Sequence, residues 1–116
     1  MNKHLVLLAA LTLAAPAAFA GGDAASGKQI VDRTCAACHS ANGISNKGQD
    51  PQPPILAGQY KDYIIQALHE YKNGGRNNPI MKGMAADLSE DDIRNLAEYF
   101  ASLPGPLHTI PQGGEH

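Results

Sequence analysis

Residues 35–39 read Cys-Ala-Ala-Cys-His, and the chain of 116 residues holds no other cysteine. On a helix, Cys35 and Cys38 stand almost one turn apart on one side, with His39 carried directly after them. A disulfide between them would close so short a loop that it would barely restrain the unfolded chain. The pair therefore needs a chemical role more than a stapling one, and the fold must present all three side chains to one place.

The compartment bears on that role. Lys3 and His4 begin a short polar start, Leu5 to Ala15 is almost wholly apolar, and Pro16 breaks the run. Ala18-Phe19-Ala20 then offers small residues where a signal peptidase reads, so residues 1–20 are expected to be a secretory signal peptide cleaved before Gly21. The apolar core is too short for the roughly 20 residues that span a bilayer. Removing 20 of 116 residues leaves 96, enough for one domain, expected over 21–105 with a loose tail over 106–116. Lys3 leaves with the leader, so eight Lys plus Arg face eleven Asp plus Glu, a net charge of about −3. Nucleic-acid binding usually needs a basic face, and this balance argues against it.

The pattern is all-helical. Asp23 is a good N-cap for a first helix running from Ala24 to about Cys38. The run 40–58 contains Asn42-Gly43, Gly48 and Pro51-Gln52-Pro53-Pro54, which excludes a regular helix. Tyr60, Tyr63, Ile64, Ala67, Leu68 and Tyr71 form an apolar stripe that predicts a second helix, stopped by Gly74-Gly75. Residues 76–88, which include Met81 and Met84, are expected to be irregular. Ser89 with Glu90, Asp91 and Asp92 opens a third helix, whose stripe is Ile93, Leu96, Ala97 and Phe100 and whose stop is Pro104-Gly105. Tryptophan is absent and only 5% of residues are aromatic, so a bound group would help fill the core.

Four chemistries compete for the cysteine motif. A thioredoxin-like pair needs a βαβ context, which this pattern lacks. A structural zinc site usually needs four ligands, and three such close neighbours suit tetrahedral geometry poorly. A disulfide leaves His39 without a task. Covalent attachment of one haem c remains: each thiol adds to a vinyl group on one porphyrin edge, and His39 is carried beneath the iron.

Beyond the motif, the sequence resembles the class I cytochromes c. It is especially similar to the repeat unit of bacterial diheme cytochromes and their short single-haem relatives. The matching pieces are Gly22-Asp23-Ala24-Ala25 with Gly27, the cysteine motif, Pro54-Ile55-Leu56-Ala57-Gly58-Gln59, Met81-Lys82-Gly83-Met84, and Leu88-Ser89 through Tyr99-Phe100. The resemblance implies an all-α fold whose first and last helices cross beside the haem, with Gly27 at the crossing near Leu96 and Tyr99. It implies Cys35, Cys38, His39, Pro54 and Met81 as cofactor-binding residues, with His39 and Met81 on the iron and the Pro54 carbonyl accepting from His39. The residues alone leave Met81 and Met84 open as sulfur ligand; the resemblance selects Met81. Arg76 and Tyr60 are candidates to meet a haem propionate, whereas His69, His108 and His116 have no metal-binding surroundings.

The implied function is periplasmic one-electron transfer between redox proteins, without catalysis, by a monomer or by a subunit of a complex. The alternatives are a cytochrome subunit of a larger dehydrogenase, for instance one oxidising sulfide or an alcohol, and a haem gas sensor.

Overall fold

Asp23 starts the described structure in the way its sequence suggests: its carboxylate accepts from the Ser26 amide at 2.8 Å and from the Ser26 hydroxyl at 2.6 Å. The computed structural model describes residues 21–107; the expected signal peptide and positions 108–116, with His108 and His116, lie outside the described residues. From that cap run α1 (Ala24–Ile30), a π-helical stretch (Val31–Cys35) and α2 (Ala36–His39). The Ala36 amide donates to the Val31 carbonyl, five residues back, so the helix widens by one residue as it enters the motif. Beyond His39, Ser40 takes a left-handed φ of 64° and turns the chain into a long loop.

α3 spans Lys61–Asn73 and ends on Gly74, whose φ of 86° only glycine adopts without strain. α5 spans Glu90–Ser102 behind a full capping box: Ser89 accepts from the Asp92 amide while Asp92 accepts from the Ser89 amide. These hydrogen bonds hold the Asp92 carboxyl below the usual carboxylate range.

The stretch expected to be irregular is instead partly helical. α4 (Pro79–Ala85) begins at Asn78, whose side chain accepts from the Met81 amide at 3.0 Å, with Pro79 in the first turn. Proline is favoured there because its missing N–H would be unpaired anyway. Met81 and Met84 thus stand on a helix three residues apart and share a face.

The first and last helices cross with their backbones touching. A Cβ on Gly27 would fall 2.1 Å from the Asn95 carbonyl and 2.9 Å from the Tyr99 Cβ, so a side chain there would force the helices apart. Tyr99 is the neighbour expected from the sequence; Leu96 lies one position from the contact, in the core. Asn95 also accepts from the Asp23 amide at 2.7 Å, tying the start of α1 to α5. The core is small, made of Val31, Ile64, Leu96, Ala97 and Phe100. It covers one side of a large cavity. Among the described residues no helix is long and apolar enough to cross a membrane.

Candidate cofactor site

The cavity encloses about 550 Å³, within the range of small-molecule and cofactor sites. One wall carries Cys35, Cys38 and His39, the loop brings Pro54, and α4 brings Met81 and Met84. α3 and α5 close the remainder with apolar groups that include Ile64, Leu68 and Phe100. All five residues singled out from the sequence therefore meet at one cavity.

His39 is buried, and its Nδ1 lies 3.0 Å from the Pro54 carbonyl oxygen. A carbonyl can only accept, so Nδ1 carries the proton and donates. That leaves Nε2 as the nitrogen whose lone pair could bind a metal. Proline supplies the acceptor without adding an N–H of its own that would need a partner.

Both thiols are free. Burial pushes the Cys35 thiol up to about 11, opposite to the lowered values of redox-active cysteine pairs. Among the described residues no group of three or more His, Cys, Asp or Glu could hold a metal ion. Two thiols, one oriented imidazole and a thioether around an apolar space fit a haem attached at one edge. They fit neither a bare metal nor a dithiol redox centre.

Several residues the sequence reading passed over hold this wall in place. The last turn of a helix leaves carbonyls without intrahelical partners. Here the Asn46 amide group donates to the carbonyls of Ala36 at 3.0 Å and Ala37 at 2.8 Å, and Gln49 Nε2 donates to Ala37 at 3.1 Å. The backbone amides of Ser45 and Asn46 donate to the carbonyls of His39 and Cys38. The readable signal was the need itself: a helix ending on functional residues must find donors in the loop that follows.

Arg76 lines the cavity, as a propionate contact would require, whereas Tyr60 is absent from the lining. Arg76 Nε donates to Glu70 at 2.6 Å, and its guanidinium lies over the Tyr63 ring at 5.3 Å and the Tyr71 ring at 5.6 Å. The Glu70 carboxylate raises the Arg76 pKa, and Arg76, with help from Gln66, lowers that of Glu70. His69 lies outside the cavity lining and meets Glu90 at 2.9 Å.

A family model described as Cytochrome c matches residues 24–104. A cytochrome c4 from Pseudomonas aeruginosa is 41% identical over 102 residues, covering 88% of this chain and 49% of that protein. A cytochrome c-554(548) from Halomonas halodenitrificans is 38% identical over 84 residues, covering 70% of this chain and 96% of that one. The crystal structure of reduced recombinant cytochrome c4 from Pseudomonas stutzeri superposes with a TM-score of 0.62 at 31% identity, over 72% of this chain and 52% of that one. The chain thus spans about half the length of the cytochromes c4 it matches and nearly all of the shorter relative.

Proposed function

The chain belongs to the cytochrome c family, and from that premise we propose that it carries single electrons by one haem c attached through Cys35 and Cys38. The observation that carries the reading is the buried imidazole of His39, pinned by the Pro54 carbonyl in a cavity wall that also holds both thiols. When bound, the haem supplies a reversible one-electron couple at its iron. The chain supplies everything around that couple.

Cys35 and Cys38 would hold the cofactor on a domain too small to enclose it fully. His39 presents Nε2, and the hydrogen bond from Nδ1 fixes the ring and raises its basicity. Met81 presents its thioether from α4. It is better covered than Met84, which is 49% exposed, and the family resemblance favours it as the sulfur ligand. His39 and Met81 would both hold the iron and leave it no open position for a substrate, which favours a carrier over an enzyme.

Tyr63, Ile80 and Met84 line the cavity yet stand 46%, 55% and 49% exposed, which puts an apolar rim at its mouth. Redox partner proteins would approach over that rim, in the periplasm once the leader at 1–20 is removed. The reduced protein is expected to bind carbon monoxide slowly or not at all at neutral pH. Rapid binding would contradict the closed ligand set and favour a gas sensor. A stoichiometric partner retained through purification from native periplasm would move the reading to the subunit of a larger dehydrogenase.

A further inference from the structure

We propose that Ser45 is a positioning residue for electron transfer: it sets the His39–Pro54 hydrogen bond and, through it, how readily the bound iron accepts an electron. The inference rests on the reading of His39 as the iron ligand and goes beyond it. Among the described residues only two other than glycine have positive φ, Ser40 and Ser45. Ser40, at φ 64° and ψ 152°, turns the chain out of α2 while its amide still donates to the Ala36 carbonyl. Ser45, at φ 79°, lies within the loop and away from any helix end; a strained residue persists only where its surroundings hold it there, often at functional sites.

What holds Ser45 is a closed circuit. Its backbone amide donates to the His39 carbonyl at 2.9 Å. Its hydroxyl donates to the Pro53 carbonyl at 2.6 Å and accepts from Gln52 Nε2 at 2.9 Å. Pro53 is bonded covalently to Pro54, whose carbonyl accepts from His39 Nδ1 at 3.0 Å. One serine thus ties the backbone of the ligand residue to the segment that bears its hydrogen-bond acceptor. The arrangement suits this segment, because Pro53 and Pro54 lack N–H groups and can be pinned only by their carbonyls. Gln52 also donates to the Asn46 carbonyl at 2.6 Å, which joins the circuit to the residue capping α2.

Loosening the circuit should weaken the Nδ1–H···O bond. The imidazole then becomes a poorer electron donor, and the reduced iron is favoured. The test uses the haem-loaded protein in three forms: wild type, Ser45→Ala and Ser45→Gly. Ser45→Ala removes the hydroxyl and keeps a Cβ at positive φ, while Ser45→Gly removes the hydroxyl and relieves the backbone.

Two readouts apply: the reduced-to-oxidised ratio at a fixed applied potential, and exchange of the His39 Nδ1 proton by NMR. Both variants are expected to raise the ratio about threefold and to speed exchange about threefold, the effect of losing part of one hydrogen bond. An unchanged ratio and exchange rate in folded Ser45→Gly overturn the inference, and that variant decides if Ser45→Ala does not fold. A change in Ser45→Gly without one in folded Ser45→Ala also overturns it, since backbone relief and not the hydroxyl would be responsible. Wild-type protein lacking iron-shifted His39 ring resonances would instead overturn the ligand reading itself, and the inference with it.

Discussion

The two walls that bring the candidate ligands to the cavity are built differently. The cysteine wall is a helix widened by a π-turn, ending on His39, with its last carbonyls taken up by Asn46, Gln49 and the amides of the following loop. The methionine wall is α4, seven residues capped by Asn78, with Gly83 facing open space and Met84 half exposed. The difference matches the chemistry each wall must do. Two thioether bonds and a directed imidazole need three atoms placed together before attachment. A thioether on a flexible, unbranched side chain can find an iron from a less fixed backbone.

The strongest way to break the comparison is to remove its covalent side. Replacing both Cys35 and Cys38 by Ala should abolish haem that survives denaturing electrophoresis. Breaking the other wall should do something different in kind. Met81→Ala should keep attached haem but lose the methionine ligand, giving rapid carbon monoxide binding in the reduced state, while Met84→Ala should leave both properties unchanged. If Met84→Ala gives the loss instead, the ligand is reassigned.

Smaller effects sharpen the contrast. Asn46→Ala removes two donors from the helix end and should lower stability by about 1–3 kcal/mol in urea denaturation, with partial water access favouring the low end. Ser89→Ala, in the capping box of α5, should cost about 1 kcal/mol and leave the visible spectrum unchanged.

The smallest effect is in acid. The carboxyl of Asp92 is held below its ordinary value, so its contribution is present above the unfolded-state pKa and lost as pH falls through the folded-state one. Thermal stability should therefore decline below about pH 4, the ordinary carboxylate value. Asp92→Asn should make that decline shallower.

The cysteine wall was largely legible in the sequence and the methionine wall less so. Cys35, Cys38 and His39 sit at a spacing that only a few chemistries use, and the caps at Asp23 and Ser89 carry strong local signals. α4 falls in the stretch expected to be irregular, although proline in a first turn behind an Asn cap is a helix start. The expectation for Pro54 came from resemblance; its hydrogen bond joins residues 15 apart, which no local pattern encodes. Ser45 and Asn46 were invisible for a related reason. Polar residues in a loop gain meaning only when the helix end that needs their donors has been located.

The most direct test of the central claim is an absorption spectrum of the purified protein, oxidised and reduced, with extraction by acidified organic solvent on a parallel sample. Haem that stays with the protein, together with a methionine–iron charge-transfer band in the untreated oxidised form, is the expected result. Haem that passes into the solvent, or no haem after expression with a competent maturation system, would contradict it.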